Sequence, residues 1–523
     1  MGECHRLGRY HERCKAHKPS KLPNRLLDLH TSDGTGNSSD IKLVVTEGLD
    51  ASTKYAILSH CWGPPSVDPP LKTTLPLVDQ FLATIPFKSL PKNYRDAVMM
   101  ARILDIRYLW IDSLCIIQDD PRDWEMESAN MASYYQGSYL TIAAGASADC
   151  HGGFCRDLDQ SPLFRVFAPG NSSRRIAVRE TAARENSLRY PEDKKIPLLR
   201  RGWVLQEQVL SPRTVFCTDT HLFWQCHSLF TSEDGAVHMP GLHSLGDVFS
   251  PEFDLSNKNN AQELWQQWIK DYSHRELTYP TDRAPAIAGL VEFYQSETGH
   301  TPLLGLWKES LCYDLSWQCA QSREWRAGLH KPQAALPEKP NKFPAWSWLS
   351  ALGSDGHTDI FMAGKQTPST TARLEVVSAA VLWYGPAFTS ELQSAKLRLR
   401  GLVKEINLDQ FSEDGIESSG SFFLDKTIDG AVDGNPYPVT LLHLYQEITD
   451  LPDGIEEPER DYCGVYDTVL VLSVPCMDDG GYRRLGQGLV RHTVPLQVGK
   501  DAVGTRHLDC FFQDQDQRVI ELI

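Results

Sequence analysis

No run of about eighteen apolar residues occurs in the 523-residue chain, so no membrane-spanning helix and no membrane partner is expected. The opening residues, MGECHRLGRYHERCKAHKPSK, lack the apolar core of a secretory signal. Gly2 is followed by Arg6 where N-myristoylation wants Ser or Thr. Basic charge is also in short supply: 52 Lys and Arg face 68 Asp and Glu, a formal net charge of -16. Such a surface repels phosphate backbones, which argues against sequence-independent nucleic-acid binding. The 13 cysteines are odd in number and scattered through apolar segments, as around Cys115 and Cys217. They read as small buried hydrophobes in a reducing compartment rather than a disulfide framework. The expectation is a soluble, cytoplasmic chain.

Several catalytic signatures are missing. The sequence holds no GxxxxGK[ST] phosphate loop, no GxGxxG after a strand, no HExxH helix and no GxSxG elbow. That argues against a P-loop NTPase, a Rossmann dehydrogenase, a zinc protease and an α/β-hydrolase. No fixed-period repeat appears either.

What is present is a globular composition, 41% hydrophobic and 23% charged, over a length that suits two or three domains. Residues 1–40 read as a polar arm ending in TSDGTGNSSD. Tyr55 to Cys61 reads as a strand stopped by Trp62-Gly63-Pro64-Pro65. Tyr94 to Leu104 carries Ala97, Met100, Ala101 and Leu104 on one stripe and reads as a helix. Tyr108 to Ile117 suits a buried strand, and Asp123 to Tyr135 a helix capped by Asp119 or Asp120. Tyr139 to Ala144 is a third strand, about 156–195 a polar insertion, Arg201 to Leu210 a helix, and Arg213 to Cys217 a fourth strand. This alternation predicts an α/β fold with an open parallel sheet over 41–230, its ligand-binding loops at the carboxyl ends of the strands. Residues 231–355 read as helical, with the Trp-rich AWSWLSALG near their end. Residues 356–523, with many short alternating runs, predict a β-rich domain built as an antiparallel sandwich or barrel.

Two Cys/His groups fall short of metal-site spacing: Cys4, His5, His11, Cys14 and His17, then Cys217, His221, Cys226 and His227. They read as a polar arm and a strand-turn-strand with buried cysteines, and no metal is expected. His60 and Cys61 are neighbours on a strand and point to opposite faces, a poor nucleophile-base pair. Trp203 and Glu207 are four apart and share one helix face. A carboxylate against an aromatic surface is desolvated, which suits it to sugar hydroxyls or a cation. The competing reading is a surface Glu on a helix whose Trp anchors to the core. Asp112 sits inside an apolar segment and needs a partner or a task, or else caps the next turn near Ser113. Glu127 faces either solvent or the strand ends.

Three blocks then carry a resemblance: YAILSHCWG, LWIDSLCIIQDDPRDWEMESANMASYYQGSYLTIAA and RGWVLQEQVLSPR. They resemble, in order, the blocks of the heterokaryon incompatibility (HET) family, with His60 where Tyr is usual. DRAPAIAGL, GLWKESLCYDLSW and FPAWSWLSALG resemble segments that follow the domain in fungal HET proteins. The family implies a fungal source and a role in nonself recognition or programmed cell death. HET domains are distantly similar to TIR domains, which implies a TIR-like, flavodoxin-like sheet. Residues 203–207 would then match the TIR W-C-x-x-E helix, with Arg201 in place of Ser and Val204 in place of Cys. That likeness implies Glu207 as a catalytic carboxylate and NAD as substrate, with no other cofactor. Ser59, Trp62, Gly63 and Asp112 would form part of the substrate site. Gln118, Glu127, Arg201 and Trp203 would complete it. Trp62 or Trp203 would stack on a ring, and Gly63 would let backbone approach a phosphate. Three readings remain open: an NAD-consuming death effector, a non-catalytic recognition module acting through protein partners or self-assembly, and a biosynthetic accessory enzyme using the same pocket.

Overall fold

The computed structural model describes residues 14, 21–30, 39–64, 69–155, 164–167, 175–178, 196–219, 221–227, 229–233, 238–240, 257–319, 323–324, 343–351, 360–362, 364–407, 419–424, 438–450, 462–473, 480–495, 511–512 and 515–522. Most of the expected insertion at 156–195, and every residue of the first Cys/His group except the buried Cys14, lie outside them. Contacts divide the chain into two units, Met1–Asp254 with His274–Glu292, and Leu255–Ser273 with Phe293–Ile523.

The first unit is built on a nine-stranded sheet. Its strands are β1 (Arg25–Asp28), β2 (Lys42–Val45), β3 (Tyr55–Ser59), β4 (Tyr108–Trp110), β5 (Leu140–Ala143), β6 (Arg213–Cys217), β7 (Leu222–Cys226), β8 (Leu229–Ser232) and β9 (His238–Pro240). The spatial order is β9-β8-β7-β6-β5-β3-β4-β1-β2. Every residue of β3 and β5 is buried, the pattern of strands covered on both faces. β4, β3, β5 and β6 run parallel to one another. The expected open parallel sheet is thus the centre of a mixed one: β1 and β2 add antiparallel beside β4, and β7 to β9 add antiparallel beyond β6. β6 and β7 are joined by a tight reversal, whereas a parallel neighbour needs a long crossover. β1 also falls inside the expected polar arm, where RLLD supplies three buried positions.

The covering helices are α1 (Val78–Ala83), α2 (Lys92–Ile103), α3 (Asp112–Cys115), α4 (Pro121–Gly137) and α5 (Val204–Leu210). α2 turns Ala97, Val98 and Ala101 inward, so the small-residue stripe lets it lie close to the sheet. Asp120 caps α4, its side chain accepting from the Arg122 amide, and Pro121 supplies the first helical residue. The expected strand Tyr108 to Ile117 is shorter than foreseen. It stops at Trp110, and Asp112 opens the single turn of α3 by accepting the Ser113 amide at 2.7 Å. The β6–β7 hairpin buries Cys217 and Cys226, as the strand-turn-strand reading required.

The second unit begins with α6 (Lys258–Ser273); α7 (Pro285–Thr298) runs from the first unit into the second after Glu292, and α8 (Leu311–Asp314) follows. Trp265, Trp307 and Tyr294 pack ring on ring at 4.4 to 5.4 Å between centroids. The Gly305 carbonyl, presented at φ +86°, accepts both Trp265 Nε1 at 3.0 Å and Trp348 Nε1 at 2.9 Å. The β-rich part pairs its strands antiparallel, with one isolated parallel bridge between Tyr482 and Leu522. It comprises β10 (Leu374–Trp383), β11 (Leu392–Asn407), β12 (Ser419–Leu424), β13 (Pro438–Asp450), β14 (Tyr462–Leu472), β15 (Arg484–Pro495) and β16 (Gln517–Leu522). Val439, Leu441, Val469, Val471, Val490, Phe511 and Phe512 form its apolar core. No helix of the described residues is long and apolar enough to cross a membrane.

Candidate functional site

The four parallel strands, numbered along the chain among themselves, lie in the order 2-1-3-4. In an open α/β sheet of that order, the crevice forms at the carboxyl ends of the first and third strands, where crossovers leave in opposite directions. Here those ends are Ser59 of β3 and Ala143 of β5.

Glu207 of α5 arrives at this place. The Ser59 hydroxyl donates to Glu207 Oε2 at 2.5 Å, and the Tyr135 hydroxyl from the last turn of α4 also faces the carboxyl. Glu207 is only 5% exposed. Its burial pushes the carboxyl pKa up, while the Arg201 guanidinium and the Ser59 and Tyr135 hydroxyls pull it back. Arg201 itself donates to the His60 carbonyl and lies in the field of Glu207, Asp112 and Tyr135. One guanidinium therefore serves two carboxyls that burial already makes reluctant to ionise. A site so arranged favours a ligand that brings positive charge or hydroxyl donors.

Asp112 is the second carboxyl. Trp62 Nε1 donates to its Oδ2 at 2.9 Å, and burial raises its pKa against the pull of Arg201 and Trp62. Asp112 has a partner in Trp62 and also braces the turn at Ser113. Gln118 stands behind it, its amide donating to the Asp112 carbonyl at 3.0 Å. Gly63 adopts φ +90°, and a Cβ there would come within 2.6 Å of Asp149 Cβ. Its neighbour is thus the loop after β5, in which Asp149 Oδ1 accepts the His151 and Gly152 amides at 2.8 Å each.

His60 is held away from acid-base work. Burial, with Arg201 nearby, drops its pKa to about 3, and burial raises that of Cys61. His60 Nε2 meets the Tyr94 hydroxyl at 3.2 Å, which meets Ser113 Oγ at 2.7 Å. Both residues stay neutral near pH 7, so the adjacent pair has no thiolate-imidazolium character.

Ser59, Trp62, Asp112, Arg201 and Glu207 are therefore gathered, with Gly63 and Gln118 at the margins. Glu127 belongs elsewhere. Fully buried on α4, it accepts from Asn24 Nδ2 at 2.6 Å and lies 3.7 Å from Arg25, which also pairs with Asp123 at 2.5 Å. The Trp203 indole N–H is committed to Asp282 Oδ2 at 3.1 Å. Sequence reasoning missed Asp282, Tyr94, Asp149 and the hydroxyl role of Tyr135. Two of these carried a signal: Tyr135 lies within the second family-like block, and Asp282 opens the DRAPAIAGL segment. Among the described residues no group of three or more His, Cys, Asp or Glu is placed to hold a metal ion.

With this geometry in view, residues 55–207 match the family model described as Heterokaryon incompatibility protein (HET). No curated protein and no solved structure matched the chain. The chain carries a HET domain over those residues, and a HET domain implies a part in heterokaryon incompatibility and the cell death that accompanies it.

Proposed function

We propose that this HET-domain chain acts in nonself recognition as a death effector that hydrolyses NAD at the nicotinamide-ribose bond, with Glu207 as the catalytic carboxylate. The observation that carries the reading is the placement of Glu207, buried against Ser59 at the switch point of a 2-1-3-4 parallel core. That strand order supports the TIR-like, flavodoxin-like reading of the fold.

The chemistry needs little from the protein beyond charge and position. The C1′–N bond breaks with its electron pair moving to the pyridinium nitrogen, so nicotinamide departs neutral and needs no general acid. The ribosyl fragment develops oxocarbenium character, as in glycoside hydrolysis, and water then adds to C1′ and loses a proton. Glu207 would exchange the Ser59 hydroxyl for ribose hydroxyls and stabilise the developing cation electrostatically. Trp62 and Trp203 are both half-buried, and each has its indole N–H held by a carboxylate, Asp112 and Asp282 respectively, which leaves a ring face for stacking.

The test is nicotinamide release from NAD by purified protein at low and high concentration, beside Glu207→Gln. The expected result is release that rises with protein concentration and falls at least about a hundredfold in the variant, in line with loss of a main electrostatic element. No release from folded protein at any concentration would favour the second reading, a recognition module acting through protein partners or self-assembly. The observation on that side is the closed state of Glu207, 5% exposed and already partnered.

A further inference from the structure

The segment His274–Glu292 lies beyond the family-matched residues 55–207, yet it clusters with the first unit, while the chain on either side of it belongs to the second. Its contacts converge on the turn that leads into α5. Glu276 and Arg201 form an isolated parallel bridge, in which the Gly202 amide donates to the Glu276 carbonyl at 2.8 Å and the Glu276 amide to the Arg200 carbonyl at 2.5 Å. The Arg200 guanidinium also pairs with the Glu276 carboxylate. Trp203 Nε1 donates to Asp282 Oδ2 at 3.1 Å. Seven residues on, Gly289 sits so close to α4 and α5 that a Cβ would lie 2.5 Å from Ala132 Cβ and 2.9 Å from Gln206 Oε1. The Gly289 amide donates to that same Gln206 oxygen at 3.2 Å.

We propose that Asp282 is a positioning residue of the Glu207 site, fixing the Trp203 indole as one wall of the substrate pocket, so that His274–Glu292 is a working part of the HET site. The inference rests on the reading of Glu207 as the reacting carboxylate. A tryptophan at a helix start has many rotamers open to it, and a single carboxylate acceptor for its N–H removes that freedom. The Asp282 carboxyl is half-buried and lies in the field of Arg201, the same cation that serves Glu207 and Asp112. Asp282 thus joins Trp203 by a hydrogen bond and the charged cluster by its field. Loss of the acceptor frees the indole without removing Glu207, so substrate binding suffers before the chemical step does.

The experiment compares the full chain with Asp282→Leu, which removes the acceptor, and Asp282→Asn, which keeps an acceptor oxygen. Steady-state nicotinamide release and the ¹⁵N-indole resonance of Trp203, assigned through Trp203→Phe, are both recorded. The expected result for Asp282→Leu is a KM for NAD raised about tenfold, the scale of one lost hydrogen bond, with kcat within about threefold. The Trp203 resonance moves and exchanges faster in Asp282→Leu, and Asp282→Asn restores both readouts. A fall in kcat that follows the folded fraction at unchanged KM would overturn the proposal, as would an Asn variant that behaves like the Leu variant. Should the wild-type protein release no nicotinamide, the reading of Glu207 fails on its own. The indole resonance still decides the positioning claim, and a resonance unmoved in Asp282→Leu overturns it.

Discussion

Glu207 shows how a buried acid opposes the stability of its own fold. Its carboxyl has a pKa raised by burial, so the folded chain holds that proton more firmly than the unfolded chain does. For an acid shifted this way, no cost is felt below the unfolded pKa. The cost grows as pH rises from there to the folded pKa and then stays constant. Glu207→Gln keeps an acceptor for the Ser59 hydroxyl and carries no charge. Denaturant unfolding should therefore show the variant more stable than wild type by about 1–2 kcal/mol at pH 8, the usual scale of a function-stability trade, with the difference vanishing near pH 4. An equal difference at both pH values would mean that ionisation is not its source.

At the scale of elements, Gly289 is the sharpest constraint in the first unit. α7 approaches α4 and α5 at a residue without a side chain, and the added methyl of Gly289→Ala has no room beside Ala132 and Gln206. Overpacking of this kind costs about 1–3 kcal/mol, and Asp282 would shift with the helix it precedes. A thermal melt that falls by several degrees together with a displaced Trp203 resonance is the expected outcome. An unchanged melt would show that the helices simply part. The same elements show what the sequence made legible. YAILS and LTIA announce strands because nearly every position is apolar, and an Asp at 119 or 120 announces the start of α4 by cap chemistry. RLLD and KLVV were opaque, being four-residue strands that pair only in tertiary context, β1 along the edge of β4 and β2 along β1. Asp112 misled because an apolar run reads as one strand, whereas its carboxylate turns the chain into α3 after Trp110. Glu207 was legible by resemblance, but its partner Ser59 is 148 residues away and Asp282 lies outside the matched block. Such pairings are products of tertiary folding and leave no local spacing to read.

At the scale of the whole molecule, the two units report on themselves differently. Trp265, Trp268, Trp307, Trp317, Trp346 and Trp348 are fully buried and all belong to the second unit, so intrinsic fluorescence follows mainly that unit. Among them lies Asp314, whose Oδ2 accepts the Trp307 amide at 2.9 Å and the Ser310 hydroxyl at 2.8 Å. Burial pushes its pKa up to about 7 from an ordinary 3.8. The unfolded chain loses this proton first, so the second unit should weaken as pH climbs from about 4 to about 7, by up to a few kcal/mol, and level off beyond. Fluorescence-detected unfolding of Asp314→Asn should show a flatter pH dependence than wild type over that interval. A parallel pair of curves would assign the dependence to other groups.

The excursion of His274–Glu292 has a consequence for how this chain can be divided. Residues 1–254 alone contain every position of the family match but leave Trp203 without its acceptor and the Arg201 turn without its bridge. The missing piece is encoded in the other half of the polypeptide, flanked on both sides by residues of the second unit. If Asp282 positions Trp203 as proposed, a nonsense mutation or a cleavage after residue 254 would disarm the HET domain without touching it. On the same proposal, two fragments broken there would each lack part of the site and together would supply it, the behaviour geneticists know as complementation in trans.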